Sequence, residues 1–379
     1  MDLVAGRGRS GLLGRVRELD PILLACVASL VGIGLLAIYS ATNRSLEALG
    51  YDPSTYLKRQ AVFAILAAIV LVVAAGVDYR FLKVYAPILY VGSIALLVLV
   101  QTPLGTTVKG SQRWFALGGF QFTPSEAAKV ALMAMLASVV ADLRGREPDL
   151  RDVLRTTAIA ALPGALVFLQ PDLGTSIVLA TILAGVLFAG GAKPRHLGVL
   201  LATASVLFFG ALQVGLIQEY QVDRLTSFLD PGNDPLRSGY NRQQAEIAIG
   251  AGGVVGLGYL QGTQTNLDFV PEQHTDFIFT VVGEEFGFVG AIALVALFGV
   301  LVWRAFRVAM TSKEPFGAHL AAGIGTYFVV QIFVNVGMTI GIMPITGIPL
   351  PFVSYGGTAL LVNGFLAGTL LSIELRRLP

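Results

Sequence analysis

The chain has 379 residues, of which 55% are hydrophobic and only 13% are charged. A soluble domain carries roughly 25% charged residues, so these charges are too few to cover a water-facing surface, and lipid must solvate most of the molecule. The formal net charge of +2 gives no reason to expect a nucleic-acid partner, and a single cysteine, Cys26, excludes an intrachain disulfide.

Ten apolar segments approach the length of about 20 residues that a membrane helix needs. They predict an all-α, polytopic membrane domain over 21–374, with an N-terminal segment 1–20 and a short tail 375–379. The middle segments are short or interrupted and carry Pro124, Pro163 and Pro171. Such breaks are tolerated where protein or a wet cavity satisfies the backbone. The segments are 21–40, 60–77, 84–101, 125–141, 153–169, 174–190, 197–217, 277–302, 320–340 and 358–374.

The distribution of Lys and Arg orients these spans. Ten spans place both termini on the same side of the membrane. The termini and loops on that side contain seventeen Lys and Arg residues, and the loops on the other side contain eight. Because cytoplasmic loops carry the excess of cations, we expect both termini in the cytoplasm of a bacterial inner membrane. The long connection 218–276 and the loops 102–124 and 341–357 then face outward.

The outward loops limit the chemistry that the chain can perform. No ATP is present outside the inner membrane, and the chain lacks the G-x-x-x-x-G-K-[ST] phosphate loop. A synthesis there must use an activated substrate, such as a lipid-linked sugar pyrophosphate. The connection 218–276 is too long for a passive turn. Its glycine-rich stretch around 243–258 is too short to span, which favours an interfacial or re-entrant helix with the glycines in packing roles.

Five segments of the chain are distinctive, and they occur in the order RWFALGGFQFTPSEAAK, QPDLGTS, NDPLRSGYNRQQAEIAIGAGGVVGLG, GTQTNLDFVPEQHTDFIFTVVGEEFGFVG and NVGMTIGIMPITGIPLPFVSYGGTALL. They resemble the hallmark segments of the SEDS family in family order, across about 250 residues. GTQ before FVPEQHTDFIF, and GMTIGIMPITGIPLPF, are more similar to the elongation branch than to the division branch. Arg237 departs from the family, where a small residue is usual, and this puts nothing central in doubt.

The resemblance implies an SEDS-like ten-span bundle with an outward cavity and peptidoglycan glycosyltransferase activity. The enzyme would polymerise lipid II for cell elongation and rod shape. A class B penicillin-binding protein would supply cross-linking, alongside other elongation-complex membrane proteins and membrane lipid. The family also brings two alternatives, a lipid II flippase and a scaffold for the penicillin-binding protein. A flippase needs polar groups through both leaflets, whereas here they concentrate outside.

Asp276 lies where PEQHTD gives way to the apolar run FIFTVV. Asp is a favoured helix N-cap, which is the structural interpretation. The functional interpretation is a general base that deprotonates the acceptor sugar hydroxyl, since partial desolvation raises the pKa of a carboxylate. The SEDS resemblance matches the family's essential aspartate to Asp276. Capping and catalysis are compatible.

Two acidic residues follow in the same predicted helix. At 100° per residue, Glu284 lies about 80° from Asp276, whereas Glu285 points to the opposite side. We therefore expect Glu284 to share the cavity, tuning Asp276 or binding a divalent cation, and Glu285 to pair with another helix.

Thr123-Pro124-Ser125-Glu126 is typical of a capping box, which would account for Glu126. Lys129 enters an apolar span. It either pairs with Glu126 at i,i+3 or stabilises the donor's pyrophosphate as it leaves. Arg113 has the same two interpretations, a pyrophosphate contact or an interfacial anchor with its neighbour Trp114.

The remaining candidates lie in loops. Asp172 either caps the sixth helix or pairs with Lys129 or a metal, and His274 is either a proton relay or a loop hydrogen-bonder. Irregular backbone in GIPLPFVSYGG should line a cavity, which makes Ser354, Tyr355, Gly356 and Gly357 candidates for sugar or phosphate contacts. We expect no organic cofactor. A divalent cation, Mg²⁺ or Mn²⁺, would help to neutralise the pyrophosphate, although no His/Cys metal cluster is present in the sequence.

Overall fold

The structure, a computed structural model, describes residues 20–108, 111–118, 120–215, 221, 222, 224, 228, 238–267 and 269–377. Arg237 and most of 216–237 lie outside these ranges. The helices are α1 Pro21–Ala48, α2 Thr55–Gly76, α3 Arg80–Leu99, α4 Pro124–Ala141, α5 Leu150–Leu169, α6 Leu173–Ala189, α7 Pro194–Gln213, α8 Ser238–Ala251, α9 Thr263–Asn266, α10 Ile278–Thr311, α11 Pro315–Thr339 and α12 Gly357–Leu375. The strands are β1 Thr106–Val108, β2 Ser111–Leu117 and β3 Phe120–Phe122.

The predicted spans correspond to helices of the structure. In the described part of the chain, nine helices are long and apolar enough to cross a bilayer, and the shorter apolar helix α6 corresponds to the predicted sixth span. Two helices extend well beyond the C-terminal ends of their predicted spans. Helix α1 continues to Ala48, and α10 continues to Thr311. Both extensions are more polar than the apolar segments that predicted them, which is why hydropathy ended the spans too early.

The helices form one bundle in which α2 packs against α12, α10 against α11, and α3 against α4. At one end, which we call the terminal end, Arg304 of α10 binds Asp20 and lies 3.2 Å from Glu374 of α12. This buried network joins the start of α1 to the end of α12. The opposite, distal end is where α2, α10 and α12 begin and α11 ends. It carries the long connections.

Helix α10 is broken at Gly287, and the glycine-rich segment after α8 fills the break. Gly287 has φ +64°, and a Cβ on it would lie 2.3 Å from the backbone nitrogen of Gly256. Amides of residues 257 and 258 donate to the carbonyls of Glu284 and Glu285, and the amide of Phe288 donates to the Gly253 carbonyl at 2.9 Å. This non-helical backbone is therefore satisfied by protein. The glycines have the packing role that the sequence predicted.

Strands β1, β2 and β3 form an antiparallel sheet in that order between α3 and α4. The sequence did not predict these strands. The sheet contacts the distal end of the bundle, because the Thr358 hydroxyl donates to the Gln121 carbonyl at 2.8 Å and the rings of Phe63 and Phe120 lie 5.4 Å apart.

Candidate active site

Asp276 lies in a turn that precedes α10 at the distal end. Helix α10 begins at Ile278 with Phe277 at the N-cap position, so the prediction of Asp276 as the N-cap is wrong. Its amide donates to the Glu272 carbonyl at 3.0 Å. The side chain is half-buried, whereas the next four residues are buried. The carboxylate therefore stands at the boundary between the packed bundle and the distal surface.

Asn335 of α11 fixes the position of this turn. Its buried side-chain nitrogen donates to the carbonyl of Asp276 at 2.8 Å and to that of Ile348 at 2.7 Å. The turn is thereby tied to the loop 340–356. In that loop Gly347 has φ +73°, and a Cβ on it would lie 3.4 Å from Oδ2 of Asp276. Glycine is suited to this position because it adopts positive φ without strain and leaves the space beside the carboxylate open.

Aromatic side chains surround His274, two residues before Asp276. The ring of His274 lies 4.8 Å from that of Tyr56 and 5.6 Å from that of Tyr355, and the two tyrosine rings meet edge to face at 5.1 Å. The Tyr355 amide donates to the His274 carbonyl at 2.9 Å. Burial raises the pKa of Tyr355, opposed by the hydrogen bond and charge of Arg59. Arg59, which is exposed, therefore presents a cation at the edge of this aromatic group.

The loop before α12 is held from α2 by Gln60, which is buried. Gln60 donates to the Ser354 carbonyl at 3.2 Å and accepts from the Gly356 amide at 3.3 Å. The Ser354 hydroxyl accepts from the Leu350 amide at 2.8 Å, so it is used within the loop. A Cβ on Gly357 would lie 2.7 Å from the ring of Phe63. Of the four residues predicted here, Tyr355, Gly356 and Gly357 keep partly exposed surfaces, and Ser354 is buried.

Lys129 is fully buried in the bundle. Its ammonium lies 2.6 Å from Glu126 and 5.2 Å from the centre of the Tyr327 ring. The i,i+3 ion pair is therefore present, and Lys129 is enclosed by protein. The predicted capping box is wrong, because Thr123 makes no side-chain capping bond and Glu126 faces Lys129 instead. Glu126 is buried beside Lys129, so its carboxylate pairs with the ammonium instead of reaching back to the N-cap amide.

A line of buried polar side chains on α11 leads from this ion pair toward Asp276. Tyr327, Gln331 and Asn335 are spaced by four residues and so lie on one face of the helix. Tyr327 donates to Asn363 at 2.8 Å and is hydrogen-bonded to Gln331. Eight residues of α-helix rise about 12 Å, which separates the level of Tyr327 from that of Asn335 along α11. These residues were not predicted from the sequence, although their spacing of four within an apolar span was a readable signal.

Arg113 and Asp172 pair with each other instead of lining an open cavity. Arg113 of β2 donates to the Gln170 carbonyl at 2.8 Å and to the Pro171 carbonyl, and its guanidinium lies 3.6 Å from the Asp172 carboxylate. Asp172 also caps α6 by accepting from the Thr175 amide at 3.0 Å. The predicted cap is confirmed. The predicted pairing of Asp172 with Lys129 is wrong, because each has a different partner.

Glu284 and Glu285 both support the glycine-rich connection. Glu284 is fully buried and accepts four bonds from residues 263–265, including the Gln264 amide at 2.7 Å and the Thr265 amide at 3.0 Å. It therefore anchors α9, and the prediction that it shares an open cavity with Asp276 is wrong. The helical-wheel angle failed because Asp276 lies outside the helix. Glu285 binds the Ser40 hydroxyl of α1, which confirms the predicted pairing with another helix.

No group of three or more His, Cys, Asp or Glu side chains comes together in the described ranges to hold a metal ion. The protein side chains described here do not by themselves form a divalent-cation site. The cation stays a prediction, and no catalytic step is derived through it.

The geometry is consistent with the comparison to known proteins. Residues 21–377 match the FtsW/RodA/SpoVE family, described as cell cycle proteins. The chain belongs to this family. The match covers the whole described bundle, including the Asp276 turn and the loop 340–356. This is the SEDS family that the hallmark segments indicated.

Relatives and solved structures of the SEDS family agree over almost the full length. The chain is 39% identical over 363 residues to the peptidoglycan glycosyltransferase MrdB of Escherichia coli, covering 95% of this chain and 94% of the relative. It is 36% identical over 370 residues to the probable peptidoglycan glycosyltransferase FtsW of Geobacter metallireducens, covering 96% of each.

A structure described as the structural coordination of polymerization and crosslinking by a peptidoglycan synthase complex matches with a TM-score of 0.79 at 31% identity, covering 95% of this chain and 98% of that one. The Thermus thermophilus rod shape determining protein RodA matches with a TM-score of 0.69 at 28% identity, covering 95% and 97%. The multi-pass helical fold is thus shared by these proteins.

Proposed function

We propose that this protein is a peptidoglycan glycosyltransferase that joins lipid II units into glycan strands. The observation that carries the proposal is the placement of Asp276, half-buried on a turn that Asn335 and Tyr355 hold against the loop 340–356. A scaffold needs no carboxylate presented in this way. The names of the curated relatives, which are peptidoglycan glycosyltransferases of both the MrdB and FtsW types, support the same activity.

In the proposed step, Asp276 accepts the proton of the acceptor sugar hydroxyl. The hydroxyl oxygen forms a bond to the anomeric carbon of the donor, and the bond from that carbon to the lipid pyrophosphate breaks, which inverts the anomeric configuration. The half-buried carboxylate stands where a substrate at the distal surface can reach it. Gly347 leaves room for the hydroxyl beside Oδ2, and a base must come within hydrogen-bonding distance of the proton it removes.

The departing pyrophosphate requires positive charge. We assign this contact to Arg59, which is exposed and binds Tyr355 beside His274. Lys129 and Arg113 already bind Glu126 and the turn 170–172. We propose that Lys129 acts from inside the bundle, by its positive charge and by helping to fix the position of α11. Arg113 holds the turn before α6.

The orientation, the partner and the biological role are proposals of the same kind. The excess of Lys and Arg at the terminal end supports cytoplasmic termini and a distal end outside the inner membrane. The match to a synthase complex that coordinates polymerization and crosslinking supports a class B penicillin-binding protein as partner. The elongation-type segments and the 39% identity to MrdB support a role in cell elongation.

The test is glycan polymerisation by the purified protein from lipid II in detergent, where flipping has no meaning. We expect polymer from the wild type and a loss of about 10²–10⁴-fold in Asp276→Asn. The Asn variant keeps the side-chain volume, so its melting temperature should stay close to that of the wild type. A purified, folded wild-type protein that makes no polymer with or without its penicillin-binding partner would refute the proposal and favour the flippase or the scaffold.

A further inference from the structure

An arginine-rich surface surrounds Trp303 at the terminal end, far from the candidate active site. Trp303 lies in the last turns of α10 and is 51% exposed. The guanidinium carbons of Arg304 and Arg307 lie 5.3 and 5.5 Å from the centre of its ring. Guanidinium groups stack on the faces of aromatic rings in this way.

Only part of this positive charge is neutralised. Arg304 is buried with Asp20 and Glu374 as partners. Arg307 has no carboxylate within ion-pair distance among the residues that the structure describes, and it is half-buried against the exposed tryptophan. Arg377 shares Glu374 at 3.2 Å and also donates to the Thr311 hydroxyl at 3.0 Å. Thr311 is one turn beyond Arg307 on the same face of α10, so the two guanidiniums approach the same patch.

The location of this patch specifies the chemistry of its ligand. Helix α10 is a membrane span, and tryptophan is enriched where such helices meet the lipid headgroups. Arginine binds phosphate through two parallel N–H donors. Basic pockets between membrane helices bind anionic headgroups. An anionic phospholipid would place its phosphate on Arg307 and Arg377 and its acyl chains against Trp303.

We propose that Trp303, Arg307 and Arg377 form a binding site for an anionic phospholipid. The site uses the network of Asp20, Arg304 and Glu374 as its base. Because that network joins the first and last spans, a lipid bound there would contact α10 and α12 together. The site makes no use of Asp276 and is independent of the proposed glycosyltransferase reaction.

The chain's two tryptophans allow a direct test. In a Trp114→Phe background, Trp303 is the only tryptophan, and its fluorescence is measured in phosphatidylcholine bilayers. Phosphatidylglycerol with brominated acyl chains is the probe, and brominated phosphatidylcholine at the same mole fraction is the reference. We expect stronger quenching by the brominated phosphatidylglycerol. Unlabelled phosphatidylglycerol should relieve that quenching, and inorganic phosphate at equal ionic strength should not.

Arg307→Gln should reduce the selectivity for phosphatidylglycerol roughly fivefold, the effect of about one interfacial cation. The matched control is Arg146→Gln. It removes the same charge from an exposed arginine in the connection between α4 and α5, paired with Asp149 and Asp152. Equal quenching by both brominated lipids, equal effects of the two substitutions, or relief by inorganic phosphate would each overturn the proposal. The competition experiment needs no charge variant, so it decides even where Arg307→Gln does not fold.

Discussion

Asn335→Ala is the change that best tests how the fold positions Asp276. It removes one donor nitrogen and two hydrogen bonds. The Ile348 carbonyl is buried, and leaving it unpaired costs about 1–3 kcal/mol. The bond to the partly buried Asp276 carbonyl contributes about 0.5–1.5 kcal/mol net. We therefore expect a loss of about 1.5–4.5 kcal/mol in the free energy of unfolding.

The substitution should mainly shift the Asp276 turn relative to the loop 340–356, because the two lost hydrogen bonds tie these segments together through Asn335. A displacement of about 1 Å at a reacting group reduces the rate by roughly 10²-fold. We expect the kcat for lipid II polymerisation to fall strongly and KM to change little. The measurement is polymer formed per folded protein, with the melting temperature recorded in the same detergent.

Ser372→Ala is the matched control at the terminal end. Ser372 is also fully buried, and its hydroxyl donates to the Val77 carbonyl at 2.6 Å and accepts from the Tyr79 amide at 3.2 Å. Its removal should lower the melting temperature to a similar degree while leaving polymerisation per folded molecule near the wild-type value. Equal polymerisation rates in the two variants would refute the positioning argument.

Four further predictions follow from the structure. Lys129→Met should lower stability by about 3–5 kcal/mol because it leaves Glu126 buried and unpaired; Glu126→Gln in addition should recover stability, and polymerisation should stay low only if the charge of Lys129 takes part. Glu284→Ala should expose residues 262–266 to hydrogen exchange, since four bonds to that segment are lost; unchanged exchange there would contradict the anchoring role. Gly347→Ala should reduce polymerisation, because positive φ costs roughly 1–2 kcal/mol in a non-glycine residue and the methyl group would occupy the space beside Oδ2 of Asp276 that the acceptor hydroxyl needs; a wild-type rate would argue against that use of the space. A cysteine replacing Pro235 should react with an impermeant reagent in whole spheroplasts, and one replacing Pro148 only after lysis, with the native Cys26 buried; the reverse pattern would contradict the orientation.

The helical spans of the described chain were predictable because lipid imposes a length of about 20 apolar residues on each. The hallmark segments were likewise sufficient to identify the family. Pairings within one helix were also accessible, as the Glu126–Lys129 ion pair shows. The Asp172 cap was readable because its partner, Thr175, is only three residues away.

The predictions that failed all depended on where a helix begins or on partners distant in sequence. Asp276 and Glu284 were placed on one helical wheel, but α10 begins at Ile278, so no fixed angle relates them. Thr123 and Glu126 fit a capping box by spacing. In the structure Glu126 instead pairs with Lys129, whose ammonium lies over the ring of Tyr327 from α11.

The sequence by itself determined that this chain crosses the membrane many times, which family it belongs to, and that Asp276 is its leading catalytic candidate. Only the tertiary structure decided what holds Asp276 in place. Asn335 is 59 residues from Asp276 along the chain, and Gln60 is 294 residues from Ser354. Local patterns in a sequence report periodicity and caps within a few residues. Contacts between distant spans arise only when the helices pack, because each span's polar groups must then find partners inside the bundle.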